Sequence, residues 1–210
     1  ARPYSVLVTG VGGTGVVTIG QLLGMAAHLD GRGVAVLDMA GLAQKGGAVT
    51  SHIQIAQMQD QLFATRVAIG EAQLVIGGDL VVTAGADALA RMRSGITRVI
   101  LNADVAPTVE ALRNPDWRFP EARLRADLVA TVGSDSVDWV AAQRLAVALC
   151  GDSLFANPFM LGWACQRGWL PVTRAALERA IELNGAAVPA NLAAFLWGRR
   201  AAHDFAAVST

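Results

Sequence analysis

The sequence predicts a three-layer α/β fold, with a mixed sheet, helices on both of its faces and a helical C-terminal extension. Three observations carry that expectation. Residues 5–15 read as a strand that runs without alternation into a glycine-rich turn, and a helical apolar spacing follows. Short apolar runs and helical stretches then alternate as far as Leu101, the pattern of a sheet covered on both sides. From about residue 136 onward the apolar spacing is helical. Strand, glycine turn and helix in that order make the fold Rossmann-like. A chain of 210 residues is long enough for one well-buried unit and too short for two large ones. A single domain over 1–210 is therefore expected, with the sheet core at 1–135 and the helical part at 136–210.

The elements follow in order. Ser5 to Thr9 suits a strand buried on both faces, and from Val16 the apolar residues Val16, Ile19, Leu23 and Ala26 recur at helical spacing. Gly31 stands where a left-handed helix stop belongs. The next strand, Val34 to Leu37, ends at Asp38. In Val49 to Ile55 the apolar Val49, Ile53 and Ile55 partly alternate with Thr50, His52 and Gln54, so one face is less buried and the sheet is mixed. Gln61 to Val67 is expected to return as a further short strand. Leu74 to Ile76 is a buried strand closed by Gly77-Gly78-Asp79, a helix should run from Leu80 to Arg93, and Val99 to Leu101 is another strand ended by Asn102. Ala103 to Pro120, with prolines at 107, 115 and 120, is expected to be a connecting loop. Val137, Val140, Ala141, Leu145, Ala148 and Leu149 make one helical stripe stopped by Gly151. A helix from Pro158 to Gln166 follows. Thr173 is the expected N-cap of another helix, with Val172 and Leu177 as a hydrophobic staple and Gly185 as the stop. The last helix, Ala190 to Ala202, places Leu192, Phe195 and Leu196 on one side.

Composition narrows the function. Net charge is zero and charged residues make up 16% of the chain, against roughly 25% in an ordinary domain. Such a surface has little means of holding a polyanion, so no nucleic-acid partner is expected. Low charge with 53% hydrophobic residues is the composition of a subunit whose surface is partly covered by other chains or domains. No apolar run approaches the ~18 residues of a membrane span, and no basic, apolar, small-residue signal opens the chain. A cytoplasmic protein without membrane contact is expected. The chain begins Ala-Arg-Pro, as a processed subunit or a piece of a longer polypeptide would. Cys150 and Cys165 are expected as small core residues. Two cysteines cannot ligate a four-cysteine iron–sulfur cluster.

Chemistry concentrates in two loops. In Gly10-Val11-Gly12-Gly13-Thr14-Gly15, a strand, a glycine turn and a helix aim backbone N–H groups and a positive dipole end at an anion, usually a phosphate. Gly10, Gly12, Gly13, Thr14 and Gly15 are the binding candidates, since a Cβ would block the turn or the approach of the anion. The same turn could serve only to pack a helix closely on the sheet. With Asp38 placed as a ribose-binding acid, the spacing is also that of a free-standing NAD-binding enzyme. Lys45-Gly46-Gly47 sets a lysine beside two open backbone positions, able to meet a phosphate or carboxylate from several directions; the alternative is a solvated hairpin lysine. His52 is expected to be a structural hydrogen-bonding residue, with a base or substrate contact as the alternative; Asn157 is expected to cap a helix and Asn184-Gly185 to end one, with ligand binding as the alternative for both. His28 and His203 have no companions at catalytic spacing, and no cluster suggests a metal site.

Five stretches taken together go further: Gly10–Gly24, Asp38–Val49, Ala156–Gly162, Ala180–Gly185 and Phe195–Arg199. In this order they resemble the gamma-type domain of the 2-oxoacid:ferredoxin oxidoreductases, most closely the indolepyruvate branch. The resemblance implies an assembly that oxidatively decarboxylates an aryl 2-oxoacid on thiamine diphosphate, passes electrons through iron–sulfur clusters to ferredoxin and releases an acyl-CoA. It implies that thiamine diphosphate, Mg²⁺ and the clusters belong to partner domains or subunits. This chain would supply the coenzyme A side, with the 10–15 turn and Lys45, Gly46 and Gly47 at the anionic part. The thiamine signature Gly-Asp-Gly is missing, because Gly78-Asp79 continues into Leu80 and Gly151-Asp152 into Ser153. No catalytic residue and no activity of the chain alone are therefore expected. The resemblance also implies that Asp38 is a sheet-edge aspartate capping the next loop, not a ribose ligand. A purely structural subunit with a vestigial glycine turn is the remaining alternative.

Overall fold

The computed structural model describes residues 2–41, 47–104 and 120–208. Its sheet has strands β1 (Tyr4–Val11), β2 (Gly33–Ala40), β3 (Ala48–Ala56), β4 (Leu74–Gly77), β5 (Arg98–Asn102) and β6 (Val137–Val140), in the spatial order β2-β3-β1-β4-β5-β6. β3 runs antiparallel to both β1 and β2, while β1, β4, β5 and β6 are parallel. The sheet is therefore mixed.

Two cores cover it. Val6 and Val8 of β1, with Ile53 and Ile55 of β3, face helix α1 (Val16–Leu29) and the helices α5 (Ala142–Cys150), α6 (Ala156–Gln166), α7 (Arg174–Asn184) and α8 (Val188–His203). Leu7, Val75, Val99 and Leu101 face the other way, toward α2 (Leu80–Thr83), α3 (Ala86–Leu89) and α4 (Glu121–Val132). The alternation of Val6, Leu7 and Val8 between the two cores is why β1 shows no polar face.

Local signals are mostly honoured. Gly31 follows α1 at φ 69°, and Gly151 and Gly185 close α5 and α7 in the left-handed region. Thr173 accepts from the Ala176 amide at 3.2 Å as N-cap of α7, and Asp30, at the end of α1, accepts from the Thr173 amide and hydroxyl at 2.6 and 2.7 Å. One residue thus starts a helix and ties it to another. Thr173→Ala should lower stability by about 1 kcal/mol, measured as a shifted urea midpoint; no shift would mean water replaces both contacts.

Four expectations are corrected. Gln61 to Val67 is not a strand: a single 3₁₀ turn at Gln59–Gln61 leads into irregular chain. Its backbone is satisfied by side chains instead, with Gln54 donating to the Arg66 carbonyl at 2.9 Å, and the Val67 amide donating to His52 Nδ1 at 3.2 Å. Second, the helix expected over 80–93 is split, because Gly85 has an extended ψ of 150° and divides α2 from α3. Third, Val137 to Val140 is strand β6, paired with β5, and the apolar stripe assigned to one helix joins a strand to α5. Val137 and Val140 fit either period over so short a run. The sheet therefore passes residue 135, and the helical part begins at Ala142. Fourth, Cys150 and Cys165 are half-buried and unpaired; Cys165 packs against the main core, Cys150 does not belong to it. Most of the expected loop, residues 105–119, lies outside the described residues.

α6 and α8 approach each other closely. A Cβ on Gly162 would run into the Phe195 carbonyl oxygen, and a Cβ on Gly198 into that of Phe159. Among the described residues, no single helix is long and apolar enough to cross a membrane.

Candidate functional site

β1 and β4 are parallel neighbours whose following helices leave toward opposite faces of the sheet. A sheet of this kind opens a crevice at the carboxyl ends of such a strand pair. A cleft of about 700 Å³ lies there, lined by Gly13, Thr14 and Gly15 of the turn, by Gly78 after β4 and Asn102 of β5, and by residues of α5 to α8.

The turn is held from three sides. Thr14 donates to the Val11 carbonyl through its amide at 3.1 Å and its hydroxyl at 2.6 Å. The Gly12 amide donates to the Gly47 carbonyl at 2.9 Å, so the second loop does meet the first. On the outside, Asn157 Nδ2 donates to the Thr14 carbonyl at 2.6 Å. Gly13 and Gly15 adopt φ of 92° and 78°, and a Cβ on Gly10 would press on Thr14 Oγ1 at 2.6 Å. The positive φ at Gly13 and Gly15 and the close contact at Gly10 each favour glycine, while the space beside Gly13 stays open.

α1 begins with no side-chain cap. The amides of Val16, Val17 and Thr18, which no helix start can pair internally, are thus left without a side-chain cap, and they carry the positive end of the helix dipole at the cleft. The arrangement suits an anion. Of the sequence candidates, Gly13, Thr14 and Gly15 line the cleft, Gly10 and Gly12 shape the turn behind it, and Gly47 supports it. Lys45 and Gly46 lie outside the described residues.

Of the polar walls, the sequence offers Asn157 and Asn184 as alternative ligand contacts and gives no sign of the others. None of the described lining residues is ionisable; the polar ones include Asn102, Gln143, Asn157, Asn184 and Asn191. Asn102 is structural, its Oδ1 accepting from the Ala142 amide at 3.0 Å. Asn157 does not cap α6, whose N-cap residue is Phe155. Asn184 ends α7, as expected, and also lines the cleft. Ala187 beside it is the one non-glycine residue at positive φ among the described residues, at 40°. Gln143 and Asn191 carried no local signal; α5 and α8 bring them in.

Asp38 cannot serve a ribose at this turn. It sits on edge strand β2, opposite Ser51, and β3 lies between β2 and β1. Two strand spacings amount to about 10 Å. His52 is fully buried in register with Leu7, on the sheet face away from α1, and takes no part in lining the cleft. Burial, and then the nearby Arg91 and Arg66, lowers its pKa to about 4. It is neutral at ordinary pH, a structural acceptor as expected. Burial raises both thiols, which makes Cys150 and Cys165 poor nucleophiles. The described residues hold no group of three potential metal ligands.

Comparison with known proteins adds the following. Residues 5–201 match the family described as pyruvate ferredoxin/flavodoxin oxidoreductase. Indolepyruvate oxidoreductase subunit IorB of Methanothermobacter thermautotrophicus is 30% identical over 203 residues, covering 96% of this chain and 98% of its own. The crystal structure of pyruvate oxidoreductase subunit PORC from Thermotoga maritima superposes with a TM-score of 0.66 at 18% identity, over 95% of this chain and 97% of that one. The 2-oxoglutarate:ferredoxin oxidoreductase of Magnetococcus marinus, solved with 2-oxoglutarate, coenzyme A and succinyl-CoA bound, gives 0.67 at 13% identity. It covers 97% of this chain but 31% of its own, so the same fold also occurs as part of a much longer polypeptide.

Proposed function

The chain belongs to the pyruvate ferredoxin/flavodoxin oxidoreductase family, and from that premise we propose that it is the gamma-type component of an indolepyruvate, or aryl 2-oxoacid, ferredoxin oxidoreductase of the cytoplasm. The assembly converts the 2-oxoacid to an acyl-CoA and reduces ferredoxin. Thiamine diphosphate, Mg²⁺ and the iron–sulfur clusters sit on partner chains or domains. Cys150 and Cys165 do not fit a cluster, and the Gly-Asp-Gly signature for the diphosphate and its metal is missing.

This chain's own part is the coenzyme A side. The observation that carries it is the uncapped start of α1, opening through Gly13, Thr14 and Gly15 onto the cleft. When bound, coenzyme A supplies the thiol that accepts the acyl group. The backbone amides of residues 15–18 hold its phosphates together with Lys45, and the neutral walls take an uncharged part of the same molecule. The chain binds and orients; it moves no proton and forms no bond. The nicotinamide alternative loses its ribose ligand to the position of β3.

Gly13→Asp tests the assignment. Aspartate tolerates a positive φ better than most residues, nothing lies within 4 Å of the added Cβ, and the carboxylate would repel a phosphate. The assembled enzyme should show a KM for coenzyme A raised about tenfold, or 1.4 kcal/mol, with the KM for the 2-oxoacid unchanged. An unaltered coenzyme A KM in an intact complex removes the assignment.

A further inference from the structure

Asn157 links two stretches far apart in the chain, and the turn it touches cannot hold its own shape. Gly13 and Gly15 both have positive φ, and glycine occupies many conformations at little cost. Thr14 pins the inner side of the turn to Val11. That leaves the peptide between Thr14 and Gly15 to be oriented. In a trans peptide the carbonyl and the following N–H point in opposite directions, so whatever holds the Thr14 carbonyl also aims the Gly15 amide.

Asn157 Nδ2 holds that carbonyl at 2.6 Å across a separation of 143 residues. Its amide group stands where a Cβ of residue 15 would be, which gives Gly15 a second reason to be glycine. Asn157 is itself set by rigid neighbours: Ala156, Pro158, Phe159 and Met160 are all buried. It also lines the cleft beside the turn. An aspartate could not do this work, since an ionised carboxylate donates no hydrogen bond and would oppose an anion.

We propose that Asn157 is a positioning residue: by anchoring the Thr14 carbonyl it points the Gly15 amide, and with it the open start of α1, at the anionic part of the bound ligand. The proposal rests on the coenzyme A reading given above. It makes the helical layer responsible for the geometry of a turn that belongs to the sheet.

The test uses the assembled enzyme carrying Asn157→Leu or the nearly isosteric Asn157→Asp, beside Gly13→Asp. Asn157→Leu should raise the KM for coenzyme A about tenfold, equivalent to 1.4 kcal/mol. Saturated kcat and the KM for the 2-oxoacid should stay within about twofold, a change of roughly 0.4 kcal/mol. Asn157→Asp should raise the coenzyme A KM further. Amide hydrogen exchange in a peptide spanning residues 10–17 should speed up in both variants while other regions of the subunit keep their rates. If Gly13→Asp raises the coenzyme A KM and the Asn157 variants change neither that KM nor the exchange, the positioning role is wrong and the ligand reading stands. A lowered melting temperature with uniform loss of kcat would likewise overturn it, as the mark of mere packing. If Gly13→Asp has no effect, the ligand reading fails, and exchange alone decides: unchanged rates at 10–17 reject the anchoring, faster rates confined there support it.

Discussion

Replacing Gly198 with alanine is expected to lower stability by about 3 kcal/mol, and Gly162→Ala should do the same. The two helices carry matching stretches, Phe159-Met160-Leu161-Gly162 in α6 and Phe195-Leu196-Trp197-Gly198 in α8. Residues three apart share a helix face, and here each glycine meets the backbone of the other helix's phenylalanine. A Cβ at Gly198 would lie 2.7 Å from the carbonyl carbon of Phe159 and closer still to its oxygen, while one at Gly162 would lie 2.8 Å from that of Phe195. The obstacle is backbone, which no rotamer change relieves. Separating the helices would disturb Phe159 and Phe195, both fully buried, so a packing loss adds to the clash. Thermal melting should show a midpoint lower by about 6–12 °C. A midpoint equal to the wild type's would mean that the helices do not approach so closely.

Acidification should destabilise the subunit through His52. Above pH 6.5 the imidazole is neutral in both folded and unfolded chains and contributes no pH dependence. Between pH 6.5 and about 4 the unfolded chain takes up a proton that the folded one refuses, because burial comes first and Arg91 and Arg66 add to it. Stability therefore falls as pH falls across that window and levels off below it, with a total near roughly 3 kcal/mol. His52→Phe should abolish this slope. It should also be less stable at neutral pH by about 1–3 kcal/mol, because the Val67 amide then loses its acceptor. Urea midpoints at pH 7.5 and 4.5 check both statements; parallel pH dependence in variant and wild type would remove His52 as the cause.

Much of the fold was legible in the sequence, and the exceptions share a cause. The glycine turn, the start of α1 at Val16, the Thr173 cap and the stops at Gly31, Gly151 and Gly185 all depend on backbone preferences of neighbouring residues, which a sequence states directly. β6 and the segment before Val67 are not legible locally, because their state is set by distant partners. Val137 to Val140 becomes a strand because β5 offers an unpaired edge, and Arg66 and Val67 stay irregular because Gln54 and His52 bond their backbone. The candidate site divides in the same way. Gly13, Thr14 and Gly15 were found from spacing, whereas Gln143 and Asn191 reach the cleft only through the packing of α5 and α8.

By itself, then, the sequence determined what neighbouring residues settle between themselves: an α/β chain with a phosphate-type turn, and a row of motifs that resembles one enzyme family. Only the tertiary structure decided strand order, and that order separates Asp38 from the turn by the width of β3. It alone brought Asn157 to Thr14, and Gly162 and Gly198 against the backbones of Phe195 and Phe159. The physical reason is range. Torsional preference and hydrophobic period act over a few residues and are written locally, whereas hydrogen bonds and steric contacts between distant segments exist only once the chain has closed on itself.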